Sequence, residues 1–189
     1  MANDLLDKIG QHHLCLAAEL KHGKRSDDIL QDVSILYRWW FPKTSPIMTY
    51  LNRYVHENPN DYQMRYLLEH GLQAMEIGNS TYYALYFGKS TEGRTRFNKH
   101  INGPIKNSTI RKTIRAILHL LKDKDYNKKE RISSVLTPCY FEWMEFLNED
   151  AKLIDSFEIM AITVGHYPLN LEDNSSVSKE WIETISDAR

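Results

Sequence analysis

Only two cysteines, Cys15 and Cys139, occur in 189 residues, and they stand in no metal-ligand spacing. That excludes a zinc site built on paired cysteines and fits a reducing compartment. Long apolar runs are missing as well. Nothing approaches the roughly 20 apolar residues that cross a bilayer, and the N-terminus carries no apolar signal core. A cytoplasmic protein without a membrane partner is therefore expected. Internal repeats and low-complexity segments are absent too, so the length corresponds to one domain with an appendage. At 42% hydrophobic and 26% charged residues, the composition is that of a globular protein.

Net charge is also nearly absent, at −1, but this hides an asymmetry. From Lys89 to Arg131 there are 13 Lys and Arg against 4 Asp and Glu, which gives +9 and leaves −10 for the remainder. A local excess of that size suits a polyanion partner, although a solvated helical face can carry the same pattern. Gly88-Lys89-Ser90 ends like a nucleotide-binding loop. The earlier glycine of that motif would fall at position 83, which is a tyrosine, so the backbone cannot wrap a phosphate there.

Apolar spacing predicts a helix over 4–22, and the run from Val33 to Phe41, stopped by Pro42, reads as a strand. Helices are expected from Pro46 to about Glu57 and onward to about His70 after a turn at 58–61. Leu72–Ile77 and Tyr82–Phe87 flank Gly78-Asn79-Ser80 as a hairpin, with Tyr82, Ala84, Tyr86 and Gly88 on one face. A helix follows over Arg94–His100 and another after the Ser108 cap, whose polar face carries Arg111, Lys112, Arg115 and Lys122. The stretch Lys122–Arg131 reads as a loop and Cys139–Phe146 as a strand. Asn148 or Asp150 would cap a helix burying Leu153, Phe157, Met160, Ala161 and Val164. Residues 167–170 read as extended, and the polar tail holds a short helix around Trp181.

The chemistry concentrates at Tyr86-Phe87-Gly88-Lys89, followed by Arg96 ten residues after the tyrosine and by His100 on the same helical face. This pattern resembles the second half of the GIY-YIG nuclease signature. Ser108–Ile114 is similar to a helix start found in one bacterial branch of that family. The family places a metal-binding glutamate on a helix and an asparagine twelve residues later, after a proline. Glu158 and Asn170, with Pro168 between them, have that spacing. For the first strand, Ile35-Leu36-Tyr37 is preferred, which requires a helical insertion before the second tyrosine. Gly71-Leu72-Gln73 is the other choice, and it puts Gln73 where a tyrosine belongs.

The resemblance implies an α+β fold, with a small, mainly antiparallel sheet flanked by helices. Residues 33–174 would form the nuclease domain with an insertion at about 43–70. Residues 1–32 would be a helical extension and 175–189 a tail. It further implies a metal-dependent DNA endonuclease, of restriction or defence type, leaving 5′-phosphate and 3′-hydroxyl ends. A structure-specific repair or mobile-element nuclease, or a degenerate fold that only binds nucleic acid, are the alternatives. DNA versus RNA and the oligomeric state stay open, a dimer being compatible with palindromic cleavage. Phosphodiester hydrolysis needs an activated water, compensation of charge at phosphorus and help for the leaving oxygen. By resemblance, Glu158 would hold Mg²⁺ or Mn²⁺ and Tyr86 would activate water, its proton loosened by Lys89 and Arg96. Tyr37 would hold the water or the phosphate. Arg96 would neutralise the phosphorane, His100 would position phosphate or relay a proton, and Asn170 would orient the scissile group. Lys106, Arg111, Lys112 and Arg115 would lie along the nucleic-acid backbone.

Overall fold

The computed structural model describes residues 12–21, 30–146, 151–172 and 174–189. Its centre is a five-stranded antiparallel sheet, ordered β1-β5-β2-β4-β3. The strands are β1 (His12–Leu16), β2 (Ser34–Pro42), β3 (Ala74–Ile77), β4 (Ser80–Ser90) and β5 (Tyr140–Phe146). The helices are α1 (Ala17–Lys21), α2 (Pro46–Glu57), α3 (Tyr62–Tyr66), α4 (Gly93–Asn102), α5 (Thr109–Leu120), α6 (Lys129–Leu136), α7 (Ala151–Gly165) and α8 (Lys179–Asp187). This is the α+β arrangement expected. Among the described residues no helix is long and apolar enough to cross a membrane.

β2 runs through the middle of the sheet, paired with β4 on one side and β5 on the other. Its Ile35, Tyr37, Trp39 and Phe41 enter one core with Phe141, Trp143 and the apolar faces of α2, α4, α5, α6 and α8. Leu36 and Trp40 point to a second core, where Phe87, Met144 and Phe146 meet α7 through Ile154, Ala161 and Ile162. The β3–β4 hairpin turns at Gly78, whose φ of 60° is a conformation only glycine takes cheaply. Pro46 opens α2 behind the Ser45 cap, and Ser108 caps α5 by accepting from the Arg111 N–H.

Five sequence expectations change. Of the helix expected over 4–22, residues 12–16 form β1 instead; pairing with β5 outweighs the weak helical spacing, and residues 4–11 lie outside the described residues. The expected face of β4 is broken by a bulge, because Trp39 pairs with Tyr86 but Trp40 pairs with Ala84. Leu85 is the extra residue, so Leu85 and Tyr86 both join the first core while Ala84 and Phe87 join the second. Helix α6 starts inside the presumed loop, its basic first turn masking the apolar stripe of Ile132, Val135 and Leu136. The second half of α7, Ile159–Val164, is apolar on several sides, so periodicity does not single out its buried face. Ile154, Ala161 and Ile162 go in, whereas Leu153 and Val164 are 43% and 47% exposed. Residues 167–170 are a turn, closed by the Asn170 N–H on the Tyr167 carbonyl, rather than extended. The cap expected at 148 or 150 lies outside the described residues.

Candidate active site

β3 covers β4 only from Ser80 to Tyr83. Beyond that point the outer edge of β4 meets no strand, and the chain after α7 closes it. The Leu169 N–H donates to the Leu85 carbonyl at 2.9 Å. The Asn170 carboxamide accepts from the Phe87 N–H at 2.9 Å and donates to the Phe87 carbonyl at 2.8 Å. A side-chain amide thus stands in for a neighbouring strand, and it fixes the segment carrying Tyr86, Gly88 and Lys89. Asn170 also lines the cleft beside this edge.

Beside this edge opens a cleft of about 240 Å³, lined among others by Tyr37, Tyr86, Lys89, Arg96, Glu158 and Asn170. Tyr37 and Tyr86 come from adjacent strands, their rings 6.3 Å apart. Tyr37 stands opposite Gly88, and a Cβ there would lie 2.6 Å from the Tyr37 hydroxyl, so glycine lets the phenol cross the neighbouring strand. Gln73 is elsewhere: its carbonyl oxygen accepts from Arg38. Of the two first-strand choices, Tyr37 is the one brought beside Tyr86.

His100 is 1% exposed and sits behind Tyr37 rather than in the cleft. Its Nε2 is 2.8 Å from the Tyr37 hydroxyl and its Nδ1 is 2.8 Å from Ser108 Oγ. Burial, with Arg96 and Arg111 nearby, lowers its pKa to about 3, so the ring is neutral at pH 7. It cannot touch a phosphate; it holds Tyr37.

Arg96 favours loss of the Tyr86 proton, as expected, but stronger effects oppose it. Burial and then the Glu158 charge push its pKa up to about 12, outweighing Arg96, the Tyr37 hydroxyl and Arg189. Tyr37 is also raised well above the usual phenol value, by burial first and by Tyr86 second. Lys89 pairs with carboxylates: its ammonium lies 2.6 Å from Asp155 and 3.0 Å from Glu158. These carboxylates hold its pKa above the usual lysine value against the opposing effect of slight burial.

The four backbone-binding candidates divide. Lys106 is exposed, and Lys112 and Arg115 are half-buried on α5. Arg111 is buried, its Nη1 donating to the carbonyls of His100 and Ile101 at 2.7 and 2.8 Å and its Nη2 to that of Lys129 at 3.1 Å. It ties α4, α5 and α6 together from inside the fold, with no surface left for a phosphate. Sequence reasoning missed Asp155, Thr109 and Glu172, all exposed residues without a periodic signal.

A divalent cation can be tested against these side chains. Among the described residues no three His, Cys, Asp or Glu side chains converge, so no all-protein cage exists. Glu158 and the exposed Glu172 both line the cleft, and Glu158 already draws a cation, the Lys89 ammonium. A single carboxylate completed by water and substrate phosphate is the donor set Mg²⁺ tolerates. The residues fit such an ion.

The sheet thus brings two phenols, two cations and the Glu158 carboxylate to one cleft beside β4, a set of groups suited to handling a phosphodiester. The family model of the GIY-YIG catalytic domain matches residues 35–189, and the chain belongs to that family. Its domain is thus of nuclease type, with nucleic acid as the substrate class. No curated protein and no solved structure matches the chain.

Proposed function

We propose that the chain is a metal-dependent DNA endonuclease of restriction or defence type, active in the cytoplasm, leaving 5′-phosphate and 3′-hydroxyl ends. The observation that carries this reading is the convergence of Tyr37, Tyr86, Arg96 and Glu158 on one cleft from β2, β4, α4 and α7. Hydrolysis adds water to phosphorus, breaks the P–O3′ bond, removes a proton from the water and returns one to the leaving oxygen. The Tyr86 hydroxyl, neutral at rest, orients the water; Tyr37, held from behind by His100, fixes the second side of that position. Arg96 stands where charge accumulates on the phosphoryl oxygens, and such a preorganised donor contributes on the order of 10²–10³ in rate.

Mg²⁺ or Mn²⁺ on Glu158 would polarise the phosphoryl group and offset the negative charge that now holds the Tyr86 proton. Lys106, Lys112 and Arg115 would contact the backbone outside the cleft, positioning the duplex without reading it. The test is Mg²⁺-dependent cleavage of plasmid DNA by the wild type and by Glu158→Ala. Cleavage is expected to fall by about 10²–10³ in the variant. Undiminished cleavage by the variant would overturn the assignment, and end-labelling of the cut DNA checks the 5′-phosphate.

A further inference from the structure

Asp155 belongs to no part of the pattern that marked the cleft, yet it makes the shortest contact to Lys89. The Lys89 ammonium is shared between Asp155 Oδ1 at 2.6 Å and Glu158 Oε2 at 3.0 Å. The two carboxylates lie three residues apart on α7 and so present side by side. They differ in depth: the Asp155 side chain is 54% exposed and the Glu158 side chain 20%. Lys89 therefore bridges an outer and an inner carboxylate from the end of β4, on a flexible four-carbon stem.

The ammonium contacts Glu158 Oε2, one of the two oxygens that a divalent cation would use. A lysine with only Glu158 for a partner would compete with that cation at every encounter. A second acceptor already in contact changes this, because Lys89 keeps one ion pair while releasing the other. We propose that Asp155 is a positioning residue that draws the Lys89 ammonium off Glu158 and so frees that carboxylate for a divalent cation. The inference rests on the reading of Glu158 as the metal-binding group. It makes Lys89 a resident counter-ion that keeps Glu158 neutralised before the metal arrives.

Binding of Mn²⁺, followed by the loss of the free-ion electron paramagnetic resonance signal, tests this without cleavage. Because partly exposed ion pairs are weak, Lys89→Met should tighten Mn²⁺ about twofold to fivefold and Asp155→Asn should weaken it by a similar factor. The decisive variant is the double substitution. If Asp155 acts through Lys89, Asp155→Asn has no further effect once Lys89 is methionine; if it merely adds negative charge, the two changes multiply. Glu158→Gln separates the underlying reading from the inference. Absent binding by the wild type, or binding that survives Glu158→Gln, overturns both. Binding lost in Glu158→Gln but unchanged in Lys89→Met and Asp155→Asn, or multiplicative in the double variant, overturns the inference alone.

Discussion

Glu142 and Glu158 flank the same sheet and are used in opposite ways. Glu142, on β5, accepts from Arg38 Nε at 2.8 Å, Arg38 Nη2 at 2.6 Å and Trp40 Nε1 at 2.6 Å. Burial alone would raise its pKa, but the guanidinium and the indole N–H hold it below the ordinary carboxylate value. Glu158 meets one lysine ammonium, which it shares with Asp155, and a cleft. A carboxylate whose lone pairs are filled by rigid donors is part of the framework. One held by a single flexible cation can exchange it. The difference separates structural charge from chemical charge, and it recurs between Arg111, with its guanidinium spent on three carbonyls, and Arg96 at the cleft.

The contrast breaks most directly at Glu142. Glu142→Ala leaves Arg38 buried and without its carboxylate, and should cost about 3–5 kcal/mol of stability in urea unfolding. The paired replacement Arg38→Met with Glu142→Leu should recover most of that loss. Glu158→Ala should leave the unfolding midpoint nearly unchanged, as expected for a partly exposed group. Equal destabilisation by the two alanine variants would abolish the distinction.

Gly88→Ala tests the open side by closing it. The added methyl meets the Tyr37 hydroxyl, so overpacking should cost about 1–3 kcal/mol and displace the phenol from the cleft. Cleavage should fall even at temperatures where circular dichroism shows the variant folded.

A third measurement exploits a closed group that titrates. His100 sits at about 3 in the folded chain, against about 6.5 when unfolded. As pH falls, the unfolded chain takes up the proton first. The contribution of this ring is therefore complete above about pH 6.5 and lost progressively down to about pH 3. Between pH 7 and pH 5 it should remove about 2 kcal/mol, and His100→Gln should flatten that slope. An unaltered slope in the variant would place the histidine on the open side.

The smallest effects belong to α5. Lys112→Ala and Arg115→Ala should each weaken nucleic-acid binding slightly and lower the salt dependence by about one unit of slope. Arg111→Met should instead lower stability, because the carbonyls of His100, Ile101 and Lys129 lose their buried donor.

Much of this was legible in the sequence because it is local. The turn at Gly78, the Ser108 cap and the Tyr86–Lys89 strand end each depend on neighbours in the chain. The spacing of Glu158 and Asn170 singled out two residues that do meet at one cleft, although it could not show that Asn170 binds both polar groups of Phe87. What spacing could not show was which polar groups find partners inside. Arg111 and Arg115 lie one helical turn apart, and only the packing of α6 against α4 decides that the first is consumed. The bulge at Leu85 was equally hidden, because it follows from pairing with Trp39 and Trp40 rather than from β4 itself. The His100 environment likewise comes from Tyr37, sixty-three residues earlier.

The Asn170 clamp has a consequence beyond the cleft. A strand edge with free peptide groups recruits other strands, and proteins blunt such edges to avoid self-association. Beyond Tyr83, where β3 ends, the outer side of β4 carries that hazard. By engaging both polar groups of Phe87, Asn170 interrupts the ladder at mid-edge, so a second chain could not zip along it. The same amide that steadies the tyrosine strand also acts as a solubility device, and its removal would be felt first as clumping at high protein concentration.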